Sequence, residues 1–254
     1  ILALQKGKKF TVITAYDALF ARLIAPYADM ILVGDSLAMS FGGQSDTLSI
    51  GMDEMIYHTK AVGMGAPNAK IIFDMPFGSE TDRETALHNA VRAYKETKAC
   101  YVKIEGGCEK AEIIEHLVRN KIAVVGHIGL MPQFARAEGG YKVKGKSEAE
   151  IKKLLLDAKA VEAAGASAIV IEGVKSEVAK QITESISIPT IGIGAGADCD
   201  AQVLVWSDML GFFEEFTPKF VRKYMDGAAL AKKAFEGFAN DVKSGDFPNE
   251  KESY

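Results

Sequence analysis

Five short apolar runs of this sequence end in a polar residue that could bind a metal ion or transfer a proton. These residues are Asp35, Asp74, Glu105, His127 and Glu172. Lys103 precedes Glu105 by two positions, so both side chains would share one face of a strand. In a closed parallel barrel the strand ends meet at one mouth, where residues distant in sequence become neighbours. The pattern therefore indicates a metal-assisted active site.

Asp35, Asp74 and Glu105 offer only oxygen ligands. Hard oxygen donors suit Mg²⁺ better than Zn²⁺, and because Mg²⁺ keeps several waters, one to three carboxylates suffice. Each residue also has an ordinary structural interpretation. Asp35 could belong to a helix-capping turn, Asp74 to a turn, and Glu105 could be a polar stop before a glycine pair. Their recurrence at equivalent strand ends favours a shared magnesium site.

The remaining three residues also leave alternatives open. A buried Lys103 needs a partner, which would be a carboxylate of the site or of the substrate, or a purely structural ion pair. His127 is either a hydrogen-bonded core histidine or a substrate contact. Glu172 could act as a general base, or it could be a turn-forming residue beside Gly173.

The elements that must position these residues alternate between strands and helices. Eight short runs rich in Val and Ile predict strands, at about residues 9–13, 30–35, 70–74, 100–105, 122–127, 167–172, 188–192 and 201–206. Helix-like stretches separate them, which indicates βα units around a buried parallel sheet. Eight such units in 254 residues match the size of a (β/α)₈ TIM barrel. With no Ser/Pro-rich linker, we expect a single domain over residues 1–254, with a polar tail from about residue 243.

Three helices are predicted from the sequence, one of which is well marked. Ser147 and Glu150 form a capping-box pattern at the start of one helix, and Gly165 is a plausible stop for it. A second helix is predicted from about Met52 to Met64, and a third from Gly227 to about Val242.

Two long connections, residues 41–51 and 131–146, follow the strand ends that carry Asp35 and His127. Such segments at a barrel mouth are often lids or binding loops. The alternatives are a surface excursion or a contact between subunits.

The composition excludes several classes of protein. The chain has 30 basic and 34 acidic residues and a net charge of −4, which gives no basic surface for nucleic acid or anionic membranes. No apolar run approaches the roughly 20 residues that span a bilayer. The three cysteines form no C-x-x-C pair, so we expect neither a disulfide framework nor a structural zinc site. A reducing cytoplasm is the expected compartment.

Many ordered segments between about Phe10 and Tyr224 resemble the ketopantoate hydroxymethyltransferase family. They are Thr14–Asp17, Val33–Leu37, Met55–Thr59, Asp74–Phe77, Val102–Gly107, Gly126–Leu130, Gly139–Val143, Ile191–Gly196 and Pro218–Phe220. The resemblance implies a (β/α)₈ barrel of the phosphoenolpyruvate/pyruvate type, commonly assembled as a decamer and acting in pantothenate synthesis.

The resemblance also implies a role for each candidate residue. The residues implied for Mg²⁺ are Asp35, Asp74 and Glu105. Those implied to contact a 2-oxo acid are Asp35, Ser36, Asp74 and Lys103, with His127 beside them. Glu172 would accept the proton. The chain departs from the family pattern at Ala38, Met64, Glu80, Met131, Gly173 and Ser207, and none of these positions is a proposed ligand or base.

The implied reaction is the Mg²⁺-dependent transfer of a hydroxymethyl group from 5,10-methylenetetrahydrofolate to 3-methyl-2-oxobutanoate, giving 2-dehydropantoate. Glu172 would remove the C3 proton while Mg²⁺ stabilises the enolate. The enolate would attack the one-carbon unit, and hydroxylation would complete the transfer. Two alternatives stay open: a lyase of the same barrel type that cleaves a 2-oxo or 2-hydroxy diacid, and a catalytically silent, metabolite-binding barrel. The latter needs no base, so Glu172 favours an enzyme.

Overall fold

Eight parallel strands close into a barrel in sequence order in the computed structural model, which describes residues 5–214 and 217–254. The strands are β1 (Phe10–Thr14), β2 (Met30–Val33), β3 (Lys70–Asp74), β4 (Ala99–Glu105), β5 (Val124–Gly129), β6 (Ala168–Glu172), β7 (Thr190–Ile193) and β8 (Ala201–Leu204). Pairing of β8 with β1 closes the ring. The predicted barrel is confirmed, and every strand overlaps its predicted range.

Helices follow most of the strands. Those in the described part of the chain are α1 (Ala18–Ile24), α2 (Leu37–Ser40), α3 (Met52–Gly65), α4 (Arg83–Glu96), α5 (Ala111–Arg119), α6 (Ala135–Glu138), α7 (Glu148–Ala163), α8 (Ser176–Ser185), α9 (Trp206–Met209) and α10 (Gly227–Ser244). The three helices predicted from sequence are confirmed as α3, α7 and α10. None of the helices among these residues is both long and apolar enough to cross a bilayer.

The ends of α7 follow from its sequence. The Ser147 hydroxyl accepts a hydrogen bond from the Glu150 backbone N–H at 3.3 Å, which caps the helix. The Glu150 carboxylate accepts a hydrogen bond from the backbone N–H of Lys146 at 2.6 Å, which adds to the cap at the start of the helix. Gly165 follows the helix with φ +91°, a conformation that favours glycine.

Of the strand boundaries that differ from the prediction, three change where a residue or an element lies. β2 ends at Val33, so Asp35 lies in the turn beyond the strand. β5 continues to Gly129, so His127 lies within that strand rather than at its end. The last strand stops at Leu204, and α9 begins at Trp206, because an unbroken apolar run gives no signal for where a strand becomes a helix.

Alternate strand residues fill the interior of the barrel. The core cluster consists of Val12, Met30, Leu32, Ile72, Tyr101, Val125, Ala168, Val170, Ile191, Ala201 and Val203, and it draws on all eight strands. The barrel belongs to a compact unit that ends at Val205, and Trp206–Tyr254 forms a second compact unit containing α9 and α10. The extent of a single domain over the whole chain stays a prediction.

Candidate active site

The alternation that fills the barrel also carries polar side chains into its interior. Residues two or four positions after core residues share their face of the strand. In this way Ile72 is followed by Asp74, Tyr101 by Lys103 and Glu105, Val125 by His127, and Val170 by Glu172. Asp74 is paired in register with Lys103, and Glu105 with His127. The strands thus bring the predicted residues of β3 to β6 together at the end where the strands finish, which we call the C-terminal mouth.

Lys103 lies between two of the carboxylates. Its Nζ is 2.6 Å from Asp74 Oδ1 and 3.2 Å from Glu105 Oε1, and all three side chains are buried. Burial lowers the pKa of Lys103, but Asp74 and then Glu105 outweigh this and raise the pKa above its usual range. Lys103 is therefore a cation inside the barrel.

His127 lies between Glu105 and Glu172. Its Nδ1 is 3.3 Å from Glu105 Oε1, and its Nε2 is 3.4 Å from Glu172 Oε2. Nε2 is also 3.0 Å from the carbonyl oxygen of Leu130, and because a carbonyl only accepts, Nε2 must carry a proton. Burial and Lys103 lower the pKa of His127, but Glu105 and Glu172 outweigh them and raise it to about 9. His127 is therefore positively charged at neutral pH and belongs to the carboxylate cluster.

Glu105 has both carboxylate oxygens in contact with protein groups. Oε1 faces Lys103 and His127, and Oε2 accepts a hydrogen bond from the backbone N–H of Gln133 at 3.1 Å. Burial raises the pKa of Glu105, but Lys103 and then His127 outweigh this and lower it to about 2. Glu105 is held ionised between the two cations.

Asp35 and Asp74 form the other half of the cluster. The backbone N–H of Asp35 donates to Asp74 Oδ2 at 3.1 Å. Burial raises the pKa of Asp35 well above its usual value, and the negative charges of Asp74 and Glu105 raise it further. Burial also raises the pKa of Asp74, although Lys103 opposes this. Burial is thus the main cause of both raised pKa values, and Lys103 offsets it only in part.

Ser36 follows Asp35 at the start of α2. Its hydroxyl lies 2.9 Å from the hydroxyl of buried Tyr16 and makes no capping hydrogen bond to the helix. The backbone carbonyl of Tyr16 is in turn 2.6 Å from His58 Nδ1. Ser36 is thus held at the mouth beside the carboxylates.

Gln133 is a site residue that the sequence reasoning missed. It is buried in a 3₁₀ turn, Pro132–Phe134, directly after β5. Its side-chain Nε2 donates to Asp35 Oδ2 at 3.0 Å and to the Met75 carbonyl at 2.9 Å. The only local signal in the sequence is Pro132, which starts the turn but does not show where the Gln133 side chain lies.

The donor chemistry around Asp35 and Asp74 fits a small divalent cation. Asp74 Oδ1 is fully buried, and its neighbour there is the Lys103 ammonium. Gly34 continues the inward alternation of β2. A Cβ at this position would lie 3.0 Å from Ser36 Oγ and 3.7 Å from Asp74 Oδ2, so the glycine leaves room chiefly for the Ser36 hydroxyl beside the carboxylate. Among the described residues, no group of three His, Cys, Asp or Glu side chains is arranged to hold a metal ion. The three-carboxylate ligand set therefore stays a prediction, whereas two carboxylates with waters and substrate satisfy Mg²⁺.

Solved structures with this fold include enzymes of related barrel type. 2,3-Dimethylmalate lyase, a member of the PEP mutase/isocitrate lyase superfamily, has a TM-score of 0.60 at 16% identity, covering 97% of this chain and 87% of its own. Phosphonopyruvate hydrolase, solved with oxalate and Mg²⁺, has a TM-score of 0.61 at 15% identity, covering 97% and 89%. At these identities the likeness concerns the fold alone, and it agrees with the closed (β/α)₈ barrel. The phosphoenolpyruvate/pyruvate type of the barrel stays a prediction.

Sequence relatives are much closer. The 3-methyl-2-oxobutanoate hydroxymethyltransferase of Wolinella succinogenes is 64% identical over 250 residues, which cover 98% of this chain and 95% of the relative. That of Helicobacter pylori is 58% identical over 252 residues, covering 99% and 93%. The model of the ketopantoate hydroxymethyltransferase family matches residues 2–250. The predicted enzyme class, a hydroxymethyltransferase, is confirmed, and the chain belongs to the ketopantoate hydroxymethyltransferase family.

Proposed function

We propose that the chain transfers a hydroxymethyl group from 5,10-methylenetetrahydrofolate to 3-methyl-2-oxobutanoate, giving 2-dehydropantoate in pantothenate biosynthesis. The observation that carries this proposal is the unbroken line of contacts across the mouth. It runs from Asp35 through Asp74, Lys103, Glu105 and His127 to Glu172. A candidate metal pair and a candidate base are thereby held in one charged network. The names of the relatives support 3-methyl-2-oxobutanoate as the acceptor, and the folate donor follows from the family resemblance.

Asp35 and Asp74 are the residues that would hold Mg²⁺. When bound, the ion acts as a Lewis acid that stabilises negative charge on the keto oxygen of the 2-oxo acid. The geometry supports this assignment, because the two buried carboxylates are held next to each other by the hydrogen bond from the Asp35 backbone to Asp74, where a divalent cation would neutralise both. Glu105 remains a predicted ligand, but its contacts with Lys103, His127 and Gln133 favour a role in orienting those groups.

Lys103 and Ser36 are the proposed contacts for the carboxylate of the 2-oxo acid. Lys103 carries a positive charge inside the barrel, where low polarity strengthens its attraction for an anion. The Ser36 hydroxyl, fixed by Tyr16, can donate a hydrogen bond to a carboxylate oxygen. Together they would orient the acid with C3 toward β6.

Glu172 is the proposed base. Its side chain is 19% exposed, more than those of Glu105 and His127, so it is the carboxylate open to substrate. It would take the C3 proton, and the electrons of the C–H bond would move into the enolate of the oxo acid. The protonated Nε2 of His127 faces Glu172 Oε2 and would keep it oriented as the proton is transferred.

The second half of the reaction needs no change of redox state. The methylene carbon of the folate is at the oxidation level of formaldehyde, and water releases it by cleavage of its two carbon–nitrogen bonds. The enolate carbon then forms the new carbon–carbon bond, and the resulting alkoxide takes up a proton. Water thus supplies the hydroxyl oxygen, and tetrahydrofolate leaves.

The base assignment is tested by proton exchange at C3 of 3-methyl-2-oxobutanoate in D₂O, with Mg²⁺ present and folate absent. We expect Glu172→Gln to lose exchange by about 10²–10⁴-fold, the usual contribution of a general base. Glu177→Gln, at an exposed position of α8, is the control and should exchange at the wild-type rate. Exchange by Glu172→Gln at the wild-type rate would disprove the assignment. Release of two smaller acids from a diacid would support the lyase instead.

A homo-oligomer, a decamer by family resemblance, and a cytoplasmic location complete the proposal. Support for assembly comes from apolar side chains that remain exposed on two adjacent helices: Leu19 and Leu23 on α1, and Tyr57 and Met64 on α3. Exposed apolar faces of this kind commonly mark contacts between subunits.

A further inference from the structure

Gln133 makes hydrogen bonds at the ends of three strands, β2, β3 and β4. Its carboxamide nitrogen donates to Asp35, beyond β2, and to the Met75 carbonyl, beyond β3. Its backbone N–H donates to Glu105, the last residue of β4. Gln133 is itself only 4% exposed, so these bonds form in a site largely shielded from water.

The two hydrogen bonds of the carboxamide fix its orientation. Because the Met75 carbonyl can only accept, it must receive one N–H of the amide, and the other N–H is then directed at Asp35 Oδ2. The Asp35 carboxylate is thereby held at one defined oxygen. Asp35 lies in a turn outside β2, where no strand pairing constrains it. The Gln133 carboxamide therefore fixes an orientation of the Asp35 carboxylate that the strand itself does not fix.

We propose that Gln133 is a positioning residue, whose carboxamide holds the Asp35 carboxylate in the orientation that binds the divalent ion and, with it, the 2-oxo acid. This inference rests on the proposed function of the same site. A group that orients a metal-binding carboxylate typically changes metal affinity or activity by about 10–100-fold when it is removed. The backbone bond to Glu105 is independent of the side chain, so a substitution at position 133 tests the carboxamide alone.

Gln133→Met is the informative variant, because Met has a similar length and no N–H donor. Mn²⁺ serves as a paramagnetic probe of the Mg²⁺ site, and its binding is measured by electron paramagnetic resonance without any turnover. C3 proton exchange at saturating 3-methyl-2-oxobutanoate gives the second readout. Gln181→Met, the same substitution at an exposed position of α8, is the control. Near-ultraviolet circular dichroism establishes that each variant is folded.

We expect folded Gln133→Met to bind Mn²⁺ about 10–100-fold more weakly and to lose exchange to a similar extent, with Gln181→Met unchanged. Gln133→Asn keeps the amide on a shorter stem and should fall between wild type and the Met variant. The inference is overturned if folded Gln133→Met binds Mn²⁺ and exchanges C3 protons within twofold of wild type. It is also overturned if neither Gln133→Met nor Gln133→Asn folds. Wild-type protein that binds Mn²⁺ without exchanging C3 protons would overturn the proposed reaction, and the Mn²⁺ affinities alone would then decide the role of Gln133.

Discussion

Lys103 is the cation on which the buried charges of the mouth depend. Asp74 and Glu105 both contact its ammonium, and the surroundings of both carboxylates are almost dry. Burying a carboxylate without a positive partner costs folding free energy. Removal of one partner of such a network therefore lowers the stability of the fold by more than an exposed ion pair contributes to it. The sequence left open whether Lys103 is structural or binds substrate. Its contacts with Asp74 and Glu105 show a structural ion-pair role, and a contact with substrate stays a prediction.

Lys103→Met should therefore lower the free energy of unfolding by about 3–5 kcal/mol. The measurement is urea unfolding at pH 7 in the presence of a chelator, so that no divalent ion replaces the missing charge. The difference in free energy of unfolding between wild type and variant should shrink as the pH falls, because protonation of Asp74 and Glu105 relieves the repulsion between them. Lys60→Met removes an exposed ion pair with Glu96 and should cost about 0–1 kcal/mol. A Lys103 variant as stable as the Lys60 variant would contradict this account.

At the scale of the elements, the seam where β7, β8 and the segment before β1 meet is joined by one carboxylate. Asp200 accepts hydrogen bonds from the backbone N–H groups of Gly7 and Thr190, at 2.8 and 2.9 Å, and from Lys6 Nζ at 3.1 Å. Burial raises the pKa of Asp200, but the hydrogen bonds from Thr190, Gly7 and Lys6 outweigh this and lower it. The ionised form thus stabilises closure of the barrel.

Asp200→Asn should cost about 2 kcal/mol at pH 7, because hydrogen bonds to a charged group are lost. The folded-state pKa lies below the unfolded value of about 4. The stabilisation is therefore complete above that value and disappears as the pH falls through the folded pKa. Unfolding curves of wild type and variant should converge below about pH 4. Asp198→Asn, at an exposed neighbouring position, should show no such convergence, and a pH-independent difference for Asp200→Asn would rule out the linkage.

The sequence predicted the elements best where one physical signal dominates. Buried β-branched runs identify all eight strands, and the polar residue ending a run identifies Asp74, Glu105 and Glu172. Gln133 was not predicted as a site residue because it lies in a turn whose only sequence marker is Pro132. A single amide side chain in such a turn is usually exposed to solvent. The four-residue helices α2 and α6 are too short for a periodic pattern to predict. What the sequence missed therefore lies in the connections, where tertiary contacts rather than local propensity decide the structure.

For the molecule as a whole, the apolar face of α1 and α3 is one exposed surface that a monomer would leave in contact with water. Leu19 and Leu23 are four residues apart on α1, and Tyr57 and Met64 are seven apart on α3, so each pair lies on one side of its helix. All four are more than half exposed. Contact with another subunit would remove this surface from water.

A charge in this face should therefore dissociate the proposed oligomer. We expect Leu23→Glu and Tyr57→Glu each to shift the molar mass, measured by light scattering during size-exclusion chromatography, toward that of one chain. Leu156→Glu places the same charge at an exposed Leu of α7 and should leave the assembly unchanged. A wild-type protein that elutes with the 27.4 kDa mass of one chain would contradict the proposal at the outset.

The candidate site residues and the Asp200 contacts lie on different parts of the barrel, which matters for engineering its thermal stability. The candidate site residues all come from β2 to β6 and the turns that follow them: Asp35, Asp74, Lys103, Glu105, His127 and Glu172. The Asp200 seam instead joins β7, β8 and the segment before β1. Heat tolerance could thus be engineered into the seam without touching a reacting group. Stabilising substitutions on that arc should therefore raise the unfolding temperature with little effect on turnover, since none of the candidate site residues lies there.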